Sequence, residues 1–550
     1  MKNKIYMVSL LIAMGVSSCQ NDYLDEKLYS SYNPAELNDE LGLNAALVGL
    51  QNQYSTWHTF IALANATGQG WLACWQIGTD VAYNKSPADM DPWAVPFTDY
   101  ANLTATDPAV LYAWKWAYKI INNSNTIIAA VDNPKTVLAQ GAKDKIAAEA
   151  KFYRGLAYNT LVTLFGKVPL ITVPVSGPKT DFVRAELTDL NKLIVDDLVF
   201  AKTNLPTVNN VSSNVKGKMY SRAHSAMASQ VLAEAYLRMG QNSLAEAACD
   251  AIINSGDFSL VNQRYGSKAN QPGDAFADMF IYGNQRRSQG NKEAIWVLEI
   301  ENPSSVVGGT GSNLPVGAVD EIGSLQHRRV WGSRYHQQKG MLLCDSLGGR
   351  GISRIALTDW VLNSLYAPGD MRNSKYNLRR NYYYNDPTFA KFGQKVDVND
   401  PSVNTQRFIV PQTNKWNEFN PSDPFGQGMI KDIIIMRLGE TYLLKAEAQF
   451  KQGKLPEAAT TINILRDRAN ATSITAADIT IDFILDERAR ELLAEENRRM
   501  TLMRTGQLVN RVVGRGQKIT GIRAANLLLP IPQTERDLNK DATLDQNSGY

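Results

Sequence analysis

Histidine and cysteine are scarce in this chain of 550 residues, with four of each. The histidines (His58, His224, His327, His336) form no H-E-x-x-H or other recognised metal spacing, and His327 with His336 reads as two loop residues with ordinary partners. Cys19, Cys74, Cys249 and Cys344 contain no C-x-x-C pair, which excludes zinc knuckles and thioredoxin-type redox chemistry. Four cysteines in so long a chain do not make a disulfide-stapled scaffold. No G-x-x-x-x-G-K-[ST] or G-x-S-x-G occurs, and the glycine-rich "VVGGTGSNLPVG" (Val306–Gly317) lacks the following Lys of a phosphate cradle. After Cys19 no apolar run approaches the roughly 18 residues needed to cross a bilayer. Charge of one sign is also missing. With 57 basic and 54 acidic residues the formal charge is +3, which argues against nucleic acid as a partner. The basic, aromatic stretches "HRRVWGSR" (His327–Arg334) and "NLRRNYYY" (Asn377–Tyr384) read as solvated strands or loops.

The N-terminus has the plan of a secretory signal peptide over residues 1–18. Lys2 and Lys4 precede an apolar segment and then small residues. It ends in "VSSC" (Val16–Cys19), with a branched apolar residue, two small residues and a cysteine, the pattern that a lipoprotein signal peptidase selects. Diacylation of the Cys19 thiol is expected, because each buried methylene contributes roughly 0.8 kcal/mol and two chains hold a protein firmly to a membrane. Residues 19–34 are polar, with Asp22, Asp25 and Glu26, and read as a flexible tether before a domain over 35–550.

Helical periodicity dominates residues 108–256 and 431–507. Loop-rich segments with strand candidates such as "EAIWVLEIE" (Glu293–Glu301) fill about 71–107 and 257–430. "AEAYLRMG" (Ala233–Gly240) and "AEAQFKQG" (Ala446–Gly453) echo each other, and each is followed five residues on by another alanine, Ala245 or Ala458. Small residue, helix, glycine turn and small residue on the returning helix is the grammar of a tetratricopeptide hairpin. The expected fold is mainly α, a tetratricopeptide-like helical-hairpin scaffold with loop-rich, partly β insertions. The charges Glu487, Arg488, Arg490, Glu491, Glu495 and Arg498 fall at i,i+3 and i,i+4, as on a solvated or interlocked helix face.

Five stretches in order carry a family resemblance. They are the "CQNDYLD" start, "AAEAKFYRGLAYNTLVTLFGKVPLI" (Ala147–Ile171), "IIIMRLGETYLLKAEAQFKQGKLPEAATTINILRDRA" (Ile433–Ala469), "ILDERARELLAEENRRMTLMRTGQL" (Ile484–Leu508) and "LLLPIPQTERDLNKDATLDQNSGY" (Leu527–Tyr550). Across essentially its whole length the chain resembles the SusD/RagB surface lipoproteins. The resemblance implies a non-catalytic protein at the outer membrane that captures oligosaccharide, or peptide, and acts as the lid of a SusC-like TonB-dependent β-barrel transporter. An acidic stretch beside the acylated cysteine also resembles the signal for export to the cell surface.

A sugar ring has one apolar face and a hydroxyl rim, so a glycan site needs an exposed Trp or Tyr plate with amide, carboxylate or guanidinium groups beside it. "WQIGTDVAYNKSPADMDPWAVPFTDY" (Trp75–Tyr100) supplies Tyr83 and Trp93 among Asp80, Asn84, Asp89 and Asp91, and "HRRVWGSRYHQ" (His327–Gln337) supplies Trp331 and Tyr335 with Arg334. The resemblance draws binding residues from these two regions. Trp114, Trp116 and Trp296 lie on regular elements and are assigned to packing. No cofactor is expected. A structural calcium ion among the acids of residues 80–91 stays open, although "DVAYNKSPADMD" lacks the EF-hand order. A glycoside hydrolase and a purely structural subunit remain as alternatives.

Overall fold

The computed structural model describes residues 37–58, 61–63, 66–68, 75–85, 92–211, 222–300, 325–417, 429, 431–516 and 518–550. Cys19 and the tether therefore lie outside the described residues. The described fold is mainly α, with fifteen helices and eight short strands.

Six helices form the first part of the scaffold: α1 (Glu40–Ser55), α2 (Pro108–Asp132), α3 (Gln140–Phe165), α4 (Leu187–Asn204), α5 (Ser225–Arg238) and α6 (Asn242–Ile253). The first of them, α1, precedes the block that sequence periodicity marks. Local chemistry sets the boundaries. The Asp107 carboxylate accepts from the Ala109 amide at 2.8 Å ahead of Pro108, and α3 stops at Gly166 before Val168 and Pro169. Each helix packs on its neighbour in order, so the array is a solenoid of hairpins around one continuous apolar core. Trp114, Trp116 and Trp296 are buried in that core, as their regular spacing predicts.

The strands β1 (Ile61–Leu63) and β2 (Ala66–Gly68) form a small hairpin, and β3 (Ala82–Asn84) pairs antiparallel with β5 (Ile355–Leu357). The expected strand at 293–301 is β4 (Ala294–Leu298), which pairs with β8 (Ile433–Arg437). The short helix α7 (Ala275–Asp278) precedes β4, and between β4 and β8 lie the short helices α8 (His327–Trp331) and α9 (Asp359–Asn363) and the two-residue pair β6 (Leu378–Arg379) with β7 (Gln412–Thr413).

The scaffold resumes with α10 (Leu438–Lys451) and α11 (Leu455–Arg468), followed by α12 (Ile481–Glu491), α13 (Arg498–Arg504), α14 (Leu508–Arg515) and α15 (Gln533–Leu538). The two echoed motifs are stacked neighbours: α6 packs directly on α10 across the long insertion. Ala233, Ala245, Ala446 and Ala458 are fully buried where the helices approach. Gly240 and Gly453 hold φ at +74° and +75° at the two turns, a conformation that costs little only for a residue without Cβ. Glu246 of α6 accepts from Gln449 at 3.0 Å, Gln452 at 2.8 Å and Lys454 at 2.6 Å, which joins one hairpin to the other.

The charged α12 pattern is interlocked rather than solvated. Arg372 donates to Glu487 at 2.8 Å and Glu491 at 3.0 Å, and Arg437 donates to Glu293 at 2.8 Å and Glu491 at 2.5 Å, all of them buried. Arg468 also pairs with Glu293 and Glu491. Removing charges from water is compensated only by this dense mutual pairing, so the network fixes the insertion, through Glu293 and Arg372, to the helical scaffold.

Candidate functional site

Asp80 fixes the strand that leads into the candidate site. Its carboxylate accepts two parallel bonds from Arg498, at 2.8 and 2.7 Å, and a third from Arg511 at 2.7 Å. Burial pushes this carboxyl up, but the two guanidinium groups more than reverse the effect and hold it at about 2. The Asp80 carbonyl also accepts from the Thr358 hydroxyl at 2.8 Å, at the start of α9. Asp80 is thus a buried clamp between β3, α13 and α14, which corrects the expectation of a carboxylate beside a sugar plate. Asn84 is buried too, paired with Ile355 across the β3–β5 ladder.

Beyond the clamp, Tyr83 pairs with Ala356 and packs with it and Val410 in a small apolar cluster. A second cluster of Tyr335, Tyr382, Tyr384, Val396 and Ile409 lies behind. Together they floor a cavity of about 460 Å³, open to the surface where the early loop meets the mid-chain insertion. Its polar lining is Lys85, Asp359, Arg380, Asn381, Lys395 and Thr405. An apolar floor of this size with a few convergent polar groups is the usual make-up of a small-ligand site.

The geometry around Tyr83 and Arg380 is distinctive. The Lys85 ammonium donates to the Tyr83 hydroxyl at 3.4 Å, and the Lys85 and Lys518 ammoniums lie 5.9 and 5.0 Å from the Tyr83 ring centroid. Only 6% of Tyr83 is exposed, so the ring is not the bare plate that the sequence suggests. The half-buried Arg380 donates to the Leu362 carbonyl at 3.0 Å and Asn373 Oδ1 at 2.6 Å, both uncharged. Burial lowers its pKa from the ordinary guanidinium value. Tyr382 donates to the Val410 carbonyl at 3.0 Å, and burial raises its phenol to about 12.

The other expected residues go elsewhere. Trp331 ends α8 and is buried, lining a separate cavity of about 180 Å³ with Trp57, Trp75, Trp116 and Trp416. Tyr335 is buried one layer behind the candidate site, stacked 6.2 Å from Tyr382, its hydroxyl donating to the Cys344 carbonyl at 2.9 Å. Arg334 is half-buried, and its backbone amide donates to the Arg407 carbonyl at 3.1 Å. These three do not form an exposed platform, and they do not join Tyr83. Trp93 belongs to the turn Pro92–Phe97, and its side chain lies outside the described residues, as do Asp89 and Asp91. Both Asp80 oxygens bond arginine, and the other acids of the calcium expectation, Asp89 and Asp91, lie outside the described residues. His327 and His336 do not share a pocket of their own. His327 stacks 4.2 Å from Trp416 and 5.6 Å from His58, and burial holds its pKa well below the ordinary value.

Sequence reasoning missed Arg380, Tyr382, Lys395, Lys85 and Lys518. The available signal was "NLRRNYYY", whose alternation is real: Tyr382 and Tyr384 are buried while Tyr383 is exposed, and residues 382–384 bond antiparallel to 394–396.

Comparison with known proteins places the chain among relatives. A family model described as the SusD family matches residues 359–550, and one described as starch-binding associating with outer membrane matches residues 22–237. A SusD-like protein of Formosa agariphila is 25% identical over 520 residues, covering 86% of this chain and 88% of the relative. The starch-binding protein SusD of Bacteroides thetaiotaomicron is 37% identical over 122 residues, 22% of each chain. Among solved structures, a laminarin binding SusD-like protein superposes with a TM-score of 0.67 at 20% identity, over 93% of this chain and 100% of that one. The surface glycan-binding protein A of Bacteroides thetaiotaomicron, in complex with laminarihexaose, superposes with a TM-score of 0.64 at 19% identity, over 92% and 99%.

Proposed function

We propose a role for this chain from one premise: it belongs to the SusD/RagB family. The reading is that it binds oligosaccharide without turning it over. It is held at the outer membrane by acyl chains on Cys19, and it passes its ligand to a SusC-like TonB-dependent barrel. Outer-membrane association is supported by the description of the model matching residues 22–237, and glycan as ligand by the names of the starch- and laminarin-binding relatives. Lipidation, surface exposure and the barrel partner rest on the Cys19 pattern and the family resemblance.

The observation that carries the reading is the open cavity of about 460 Å³ between the early loop and the insertion. It offers amide, hydroxyl and cationic groups on the rim above an apolar floor in which Tyr83 and Tyr382 are largely buried, which suits the hydroxyl edge of a sugar better than stacking on its apolar face. Its described lining holds one carboxylate, Asp359, whereas glycoside hydrolysis uses a flanking pair. Binding therefore fits the lining better than hydrolysis.

Affinity electrophoresis and calorimetry of the purified protein against a panel of plant and algal oligosaccharides test this reading. The expected result is retention of at least one glycan with no shortened product. Binding of oligopeptides in place of glycans, or release of cleaved sugar, would overturn it.

A further inference from the structure

Four cations converge on the candidate cavity. Lys85, Arg380 and Lys395 line it, and Lys518 reaches over the Tyr83 ring from the segment after α14. Asp359 is the one carboxylate in the described lining, and among the described residues no ion pair joins it or any other carboxylate to these four cations. This local surplus stands against a chain of formal charge +3, which falls to +1 if residues 1–18 with Lys2 and Lys4 are removed.

Arg154, Arg372, Arg437, Arg488, Arg498, Arg504 and Arg511 each bond a carboxylate where they are buried. Arg380, like the half-buried Arg184, Arg238 and Arg379, bonds only carbonyl and amide oxygens, and of these four it is the one that lines the cavity. A guanidinium withdrawn from water without a counter-charge is a ready partner for a planar anion. Lys518 holds φ at +65°, a region that favours glycine, so the backbone is strained at the residue whose ammonium reaches Tyr83. A neutral sugar gains no ion pair from Lys85 and Lys518, whereas an anionic one exchanges their contacts with the largely buried Tyr83 for ion pairs.

Building on the glycan reading above, we infer that the ligand of this cavity is an anionic glycan, one whose sugar units bear carboxylate or sulfate groups that meet Lys85, Arg380, Lys395 and Lys518. Carboxylate and sulfate share the chemistry that these cations recognise, so the two sources are separated by experiment.

The test is calorimetry of the purified protein with matched pairs of probes: oligogalacturonate with its carboxyl-reduced form, and a sulfated oligogalactan with its desulfated form. The expected result is at least tenfold tighter binding of the charged member of one pair, weakening as salt rises. That preference falls to within about twofold in the double variant Lys395→Gln, Lys518→Gln, and returns with Arg at both positions. Both lysines are exposed, so an unchanged thermal midpoint checks that the variant is folded. Equal or tighter binding of the neutral members overturns the charge assignment and leaves the glycan reading standing. A preference undiminished in the double variant overturns the placement at this cavity. Binding of acidic peptide but no glycan overturns both, and binding of no charged probe overturns the anionic class.

Discussion

Replacing Asp80 with Asn keeps the shape of the side chain and removes its charge from between two guanidinium groups. The site is fully buried, with Arg498 bonded at 2.8 and 2.7 Å and Arg511 at 2.7 Å. Breaking a buried ion pair by neutralising one partner costs about 3–5 kcal/mol. Arg498 retains Glu496 at 3.0 Å and Arg511 retains Asp486 at 2.6 Å. Those remaining partners put the loss at the low end, about 3 kcal/mol. A second route agrees in sign and order: a carboxyl held at about 2 against an ordinary 3.8 corresponds to about 2 kcal/mol. With an unfolding entropy of about 2.1 cal/mol/K per residue, a cooperative chain of this length loses about 3 °C of thermal midpoint.

The pH dependence has a definite sign. An acid whose folded pKa is depressed stabilises the fold above its unfolded value and loses that contribution as pH falls toward its folded value. The gap between wild type and Asp80→Asn is therefore full near neutrality, starts to close below about pH 4 and is roughly halved at about pH 3. Scanning calorimetry of both proteins across that range reads it. A gap under about 1 °C at neutral pH, or one that does not change between about pH 5 and pH 3, would refute the clamp.

Three further outcomes follow from the same structure. Trp331→Ala removes a buried indole and costs about 3–5 kcal/mol in urea unfolding; no shift of the midpoint would put that side chain at the surface instead. Gly453→Ala and Gly240→Ala meet nothing within 4 Å of the new Cβ, so each costs only the backbone strain, about 1 kcal/mol, and unequal costs would contradict equivalent turns. Cys19→Ala moves the protein from the membrane fraction to the soluble fraction of fractionated cells, whereas an unaltered distribution would remove the lipid anchor from the account.

Local chemistry made the scaffold legible. Alanine at the helix contacts and glycine at the turns act within a dozen residues, so both hairpins could be read from their motifs, and the stacking of α6 on α10 completes the pattern. The candidate site was less legible because its decisive contacts are long-range. Asp80 meets Arg498 and Arg511 across more than 400 positions, and an acid in a loop looks the same whether it faces sugar or arginine. Trp331 and Tyr335 carried the composition of a binding loop, yet α8 turns the first into the core and a hydroxyl bond to Cys344 holds the second behind Tyr382. Three consecutive tyrosines at 382–384 concealed a strand-like alternation, because both faces carry the same residue type.

The most direct test is a crystal structure of the protein with the oligosaccharide that binds it most tightly. The account predicts sugar density in the cavity bounded by Tyr83, Arg380, Tyr382 and Lys395. Density against Trp331 and Trp416 instead, with that cavity empty, would contradict it.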